Sequence, residues 1–386
     1  MTQLTFAEQF NDALPRERPL LLLDLMSSAP DSFGVILEVA SARWIDLDAF
    51  LLAIQLAVRE NPANIPALRA LAWHQIRSGE YAEAKDTLTK LITAWPDQAD
   101  FRRELLRVEM MSPSDDPQPV MELGGRSLGH PMTRAAYEVQ LELSRNGEIS
   151  KERLTALNSA IDSAFADIAR TSLTEDSTID MNPTAASAGI ARVMAARTVA
   201  LVGNGPSMNG LSGGEAIEGH DLVIRCNFPK ISGHEADVGS RTDVMVFNES
   251  LFGSLKNRLG REHAFANTPL ISLHPDAVKV TNFDEICSEA GVEVWRLPLS
   301  VRNFFQRFAY SRPTTGMMTA IVLVALLRKK TTLFGFDFFK EPKTHYFGAD
   351  GQTFIGHELQ YEAWFIQEFL MRVFPGILSI SSAAAE

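Results

Sequence analysis

Two histidines near the end of the chain have the clearest capacity for proton chemistry. His345 is followed by Tyr346 in a stretch bounded by Pro342 and Gly348. His357 follows Gly356 at the mouth of a run whose apolar residues, Leu359, Ala363, Ile366, Leu370 and Val373, recur at helical spacing. A histidine at a helix N-terminus sits at the positive end of the dipole, which disfavours imidazolium and leaves the neutral ring that a general base needs. The neighbouring carboxylates of Glu358 and Glu362 act in the opposite sense. A histidine that merely caps the helix, and a half-buried loop tyrosine with a satisfied hydroxyl, would read the same way.

A second group of residues suits a nucleotide. The apolar run Thr198 to Val202 empties into Gly203-Asn204-Gly205-Pro206-Ser207. Glycines let backbone approach a ligand closely, and Asn204 and Ser207 could offer hydrogen bonds to ribose or phosphate. A tight turn after a strand would use the same residues. A dinucleotide fingerprint fits poorly, because Gly203, Gly205 and Gly210 lack the G-x-G-x-x-G spacing and Arg225-Cys226-Asn227 stands where an acidic residue is required. Further on, Pro313-Thr314-Thr315-Gly316 precedes the apolar stretch Met317 to Leu327. A threonine cap with Gly316 would leave backbone N–H groups free at a positive helix end, suited to an anion. Arg328, Lys329 and Lys330 lie at the opposite, negative end, where they compensate the dipole rather than clamp phosphate.

These residues need a scaffold, and the second half of the chain supplies its pattern. Short β-branched runs, TVALVG, DLVIRCN, TDVMVFN, LISLHP, VEVWRLP, TTLFGFDF and ILSIS, alternate with helical stretches, which predicts an α/β sandwich on a mostly parallel sheet. Ligands of such sheets bind at the carboxyl ends of the strands, where the glycine-rich loop falls. Residues 1–170 read instead as helices. Leu68, Leu71, Ala72, Gly79, Tyr81, Ala84, Leu88 and Pro96 resemble the packing residues of a tetratricopeptide repeat, and Asn61-Pro62 precedes Trp95-Pro96 by about 34 positions, that repeat's period. An irregular helical bundle is the alternative. The polar, small-residue stretch 171–190 is the expected linker, with the catalytic domain at 191–386.

The chain has 386 residues, enough for two cores, and a formal net charge of -12, which argues against a broad nucleic-acid surface. Two cysteines, Cys226 and Cys287, preclude a disulfide framework and show no zinc spacing. His220, His234, His263 and His274 likewise lack metal-ligand spacing and read as surface or packing residues. No run approaches the roughly 20 apolar residues of a membrane span. The expectation is a cytoplasmic protein, with visits to the inner membrane surface left open.

Taken in order, the segments resemble the sialyl motifs of glycosyltransferase family 29. GNGPS, HDLVIRCN and HEADVGSRTD, from Val202 to Asn248, look like the long motif, and GNGPS itself is closer to the bacterial sialyltransferases of family 42. Pro313 to Gly316 with TTLFGFDF looks like the short motif, His345-Tyr346 like the third, and His357 with Glu362 like the very short one. The resemblance covers roughly residues 198–362. It implies a Rossmann-like, sialyltransferase-type (GT-A-variant) α/β domain, which follows the N-terminal all-α helical-repeat domain read from the tetratricopeptide-like pattern. It also implies a CMP-sugar donor held by Gly203, Asn204, Gly205, Ser207, Asn227, Thr314, Thr315, Gly316 and Tyr346.

On the same resemblance His357 deprotonates the acceptor hydroxyl, His345 and Tyr346 stabilise the departing phosphate, and Glu362 orients. The animal enzymes' cysteine before the first strand is absent, with Ala200 in the run, as in a bacterial-type enzyme without the secretory disulfide. The donor would carry sialic acid, Kdo or a related nonulosonic acid, and the acceptor would be a glycan, glycolipid or glycoprotein. A departing monophosphate needs little charge stabilisation, so turnover without a metal or other cofactor is expected. The helical domain could recruit the acceptor or a protein partner. Two other classes fit the residues: an enzyme of a different nucleotide, and a helical-repeat adaptor with an inactive transferase-like domain.

Overall fold

The computed structural model describes residues 10, 13, 17–28, 36, 47–124, 127–174, 191–227, 229–247, 270–272, 294–296, 299–309, 313–338 and 359–381. The chain divides into two compact units, whose described elements come from residues 1–148 and from residues 149–381.

The first unit has no strand among its described residues. Its helices are α1 (Arg18–Ser28), α2 (Leu47–Glu60), α3 (Ile65–Ser78), α4 (Tyr81–Ala94), α5 (Ala99–Met111), α6 (Gln118–Gly124) and α7 (Pro131–Asn146). From α1 to α6 each packs against the next. Asn64 starts α3, its Oδ1 accepting from Ala67 N at 3.0 Å while its Nδ2 donates to Met26 O at the end of α1. Gly79 closes α3 in the left-handed conformation, φ 76°, and α4 follows at once. The pair α3–α4 is thus the helix–turn–helix that Gly79 and the small residues Ala72 and Ala84, both fully buried, foreshadow.

A polar cluster ties the chain leaving α5 back to α4. Glu109, with no side-chain exposure, accepts from Lys85 Nζ at 2.8 Å and from both Ser114 N and Ser114 Oγ, and Lys85 also reaches Ser112 O.

The second unit opens with α8 (Lys151–Thr174), so the division falls ahead of this helix rather than in the stretch 171–190. The helix packs against residues 299–308 and 322–326 of this unit with Leu157 and Ile161 buried, and Arg328 Nη2 donates to Asn158 Oδ1 at 3.0 Å and lies 3.6 Å from Asp162.

All seven β-branched runs are strands: β1 (Thr198–Val202), β2 (Leu222–Cys226), β3 (Val244–Phe247), β4 (Leu270–Ser272), β5 (Val294–Arg296), β6 (Lys330–Phe334) and β7 (Leu378–Ile380). They form one sheet in the order β5-β4-β3-β2-β1-β6-β7, every neighbouring pair parallel. Strands β2 and β3 are buried throughout and β1 nearly so, which is why they read as unbroken apolar runs. The chain leaves β1 towards β2 on one side and returns to β6 on the other, so the topological switch point lies between β1 and β6.

Short helices α9 (Gly214–Glu218) and α10 (Glu235–Val238) connect the first strands, and α11 (Leu299–Phe308) follows β5. Helix α12 (Thr315–Ile321) continues as a π-helical turn over Val322–Leu326, with Met317, Ala320, Ile321, Val324 and Ala325 fully buried. Arg328, at φ 53°, ends it. Its guanidinium stacks 4.6 Å from the Phe374 ring, and Lys329 binds the carbonyls of Met194 and Ala196. These cations hold the amino edge of the sheet, roughly 13 Å of strand away from its carboxyl end.

Helix α13 (Leu359–Trp364) likewise turns π-helical over Phe365–Leu370 before α14 (Met371–Val373). Ile366, Leu370 and Val373 of the expected stripe are buried, and the buried face is wider than that stripe, with Tyr361, Phe365 and Phe369 recurring every fourth position beside Glu362, Ile366 and Leu370. A spacing of four outruns a 3.6-residue turn, and the wider π turn keeps both rows on one face. There Phe365 and Phe369 meet Phe308 of α11, each with ring centroids 5.6 Å apart.

Candidate active site

The glycine-rich loop leaves β1 at the switch point and is fastened to the end of β6. Gly203 N donates to Phe334 O at 2.8 Å and Gly205 N to Gly335 O at 3.0 Å, extending the strand pairing past both strands. The glycines answer to this chain's own atoms. A Cβ on Gly203 would stand 2.7 Å from Gly335 O and 3.3 Å from the Phe336 ring, and one on Gly205 would strike Gly335 O and the Asp337 carboxylate. The same Phe336 ring covers Gly316 in α12, where a Cβ would lie 2.8 Å from Cε1. One aromatic ring therefore sits against Gly203 and Gly316, drawing the glycine-rich loop and the start of α12 together.

Asn204 joins this loop to the end of β2. Its Nδ2 donates to Cys226 O at 2.9 Å, beside Asn227. Its Oδ1 is buried and has no hydrogen-bond donor among the described residues. Asn227 adopts φ 55°, the left-handed region that asparagine tolerates, while its N–H bonds Val246 O and prolongs the β2–β3 pairing. Ser207, though exposed, turns to this chain's own carboxylate: its N–H donates to Asp337 Oδ2 at 2.8 Å and its hydroxyl to Asp337 Oδ1. Asp337 is a site residue that sequence reasoning missed, since within GFDF it carries no local signal.

Thr314 caps α12 as expected, its hydroxyl oxygen accepting from Met317 N. The anion at this helix end is already present and internal. Glu362, 3% exposed, accepts from Thr314 N at 2.8 Å and from Thr314 Oγ1 at 2.6 Å. Thr315 is buried next to the cap, its carbonyl accepting from the hydroxyl of Thr319. Gly203, Asn204, Gly205, Asn227, Thr314, Thr315, Gly316 and Glu362 thus belong to segments linked contact by contact at the sheet's carboxyl edge. His345, Tyr346 and His357 lie outside the described residues, as do His263, His274 and Cys287.

Polar residues of the Val202–Asn248 segment hold its backbone. Arg225, fully buried in β2, donates to the carbonyls of Val238, Gly239 and Arg241 and to Thr242 Oγ1, pinning the DVGSRTD stretch. Asp237 accepts from Gly210 N and Ser212 N, Asp221 from Arg197 N and Thr198 N, and Glu218 from Ser240 N and Ser240 Oγ. These hydrogen bonds hold all three carboxyls below their ordinary range. Burial pushes the Cys226 thiol up to about 12, so it stays protonated. His220 packs edge-on to Phe334 and bonds Ala216 O and Thr332 Oγ1, a packing histidine.

Residues 173–296 match the family model of glycosyltransferase family 29 (sialyltransferase). The type 2 lactosamine alpha-2,3-sialyltransferase of Mus musculus is 27% identical over 207 residues, 45% of this chain and 62% of the relative. The alpha-2,8-sialyltransferase 8E of Rattus norvegicus is 45% identical over 53 residues, 14% of each chain. The crystal structure of a mammalian sialyltransferase aligns at TM-score 0.38 and 18% identity, covering 64% of this chain and 94% of that one. The chain spans less than two thirds of the length of these sequence relatives.

Proposed function

We propose, from the sialyltransferase resemblance centred on residues 173–296, that this chain is an inverting glycosyltransferase that uses a CMP-activated sugar. The observation that carries the reading is the buried Oδ1 of Asn204 at the β1–β6 switch point, which has no donor among the described residues. A buried acceptor without a donor is costly, and a ligand hydroxyl or amine at that edge would satisfy it. A ribose hydroxyl or the cytosine amine fits, with Asn227 alongside.

The donor is CMP-sialic acid, or CMP-Kdo or a related nonulosonic acid if the sugar pocket differs from the nucleotide site. His357 is the general base that takes the acceptor proton, His345 and Tyr346 bind the departing phosphate, and no divalent cation takes part. The helical first unit recruits a glycan, glycolipid or protein acceptor, and the two-cysteine composition suits a reducing cytoplasm.

Calorimetric titration with CMP, with AMP and NAD as controls and in EDTA, tests this reading. Selective CMP binding, weakened at least about tenfold by Asn204→Ala, is expected. His357→Ala should keep CMP binding and lose roughly 100-fold or more in transfer rate. Equal binding of all three nucleotides, or none, overturns the proposal.

A further inference from the structure

We propose that Asp337 is a positioning residue for the nucleotide loop, acting through Ser207 to hold Asn204 in place. The inference rests on the CMP-site reading for its functional consequence and on geometry alone for its mechanism. Asp337 stands just past β6, across the switch point from the loop. Its two carboxylate oxygens take the backbone N–H and the hydroxyl of Ser207. The carboxylate lies against Gly205, where any Cβ would collide with it, so the glycine makes room for this side chain. Among the described residues it pairs with no cation, and its hydrogen bonds all go to the loop.

The sheet does not need Asp337. Gly203 and Gly205 already continue the β1–β6 pairing through backbone bonds to Phe334 and Gly335. What remains without it is the turn Pro206–Met208, whose N–H at Ser207 has its acceptor in Asp337. In loops that cradle phosphate, ligand oxygens take such N–H groups and order the loop on binding. Here an internal carboxylate does so beforehand. The loop is therefore preformed, its amide at Ser207 is closed to a phosphate oxygen, and the ligand meets Asn204 instead. Preorganisation of this kind raises affinity by removing an ordering cost from the binding step.

Amide hydrogen exchange and CMP titration on Asp337→Ala and Asp337→Asn test the inference. In Asp337→Ala the Ser207 amide should exchange at least about tenfold faster, since a charge-assisted bond is lost, while the Gly205 amide, bonded to Gly335 O, keeps its protection. CMP affinity should fall about tenfold, and Asp337→Asn, which retains an acceptor oxygen, should restore most of both. Unchanged exchange at Ser207, or faster exchange with unchanged CMP affinity, overturns the positioning role. If the unmodified protein binds no CMP, the nucleotide reading falls by itself, and exchange at Ser207 still decides whether Asp337 holds the loop.

Discussion

Glu362 and Thr314 are joined by two hydrogen bonds to one carboxylate, at 2.8 Å from the Thr314 N–H and 2.6 Å from its hydroxyl, across 48 positions of sequence. Because the hydroxyl proton goes to Glu362, the same oxygen is left to accept from Met317 N and cap α12. The first turn of α13 and the first turn of α12 are thereby set by a single side chain.

Replacing Glu362 with alanine strands two half-buried donors on Thr314. The expected cost is about 2 to 4 kcal/mol, read from urea denaturation. Glutamine keeps one acceptor but turns an amide towards the other donor, so Glu362→Gln should fall between wild type and Glu362→Ala. Wild-type stability in Glu362→Ala would show that the clasp carries no weight.

Phe336 couples the glycines it covers. Gly316→Ala should destabilise by about 1 to 3 kcal/mol, because the new Cβ would stand 2.8 Å from the ring. Adding Phe336→Leu should recover part of that loss, giving a coupling energy on the order of 1 kcal/mol in a double-mutant cycle. Strict additivity would mean that the ring yields freely.

Stability should decline in acid, and the sign follows from the depressed carboxyls. Glu218, Asp221 and Asp237 accept backbone N–H bonds that favour the charged form, so their folded values lie below the unfolded ones. Their contribution is complete above the unfolded values, near pH 4, and is lost as pH falls through the folded ones. Urea midpoints measured between pH 7 and 3 should drop at the acid end, and Asp237→Asn should flatten part of that drop. An Asp237→Asn profile parallel to wild type would contradict the assignment.

In the helical unit, Lys85→Met removes the cation from a carboxylate with no exposure. Ser114 still donates two bonds to Glu109, yet the charge is uncompensated, and a loss of about 3 to 5 kcal/mol is expected in denaturant. Lys85→Met together with Glu109→Gln should recover much of it.

The sheet was legible from composition because its central strands are buried on both faces, so β-branched runs such as Val199 to Val202 and Leu222 to Cys226 stand out. The carboxyl-edge position of the loop that carries Asn204 followed from the same runs. What was not legible depends on pairs distant in sequence. Asp337 and Ser207 are 130 positions apart, and an aspartate between two phenylalanines announces nothing. The glycines suggested a ligand where Phe336 and Gly335 were the close neighbours. A 3.6-residue period found Ile366, Leu370 and Val373 on the buried face of the run from α13 to α14 but not the second row Tyr361, Phe365 and Phe369 that a π-helical segment adds, and α8 went with the first unit because its sequence differs little from the helices before it.

The pairing of β1 with β6 has a consequence for how the chain is made. Thr198 finds its partner Lys330 about 130 residues later, whereas β2 and the successive helix pairs described from α1 to α6 are close at hand. At bacterial or eukaryotic synthesis rates that interval lasts roughly ten seconds, during which one edge of β1 is bare while the upstream helices are already complete. The nascent protein passes through a stage with a finished helical arm and an open apolar strand edge, and it is there, before Phe334 emerges, that a chaperone would have most to protect.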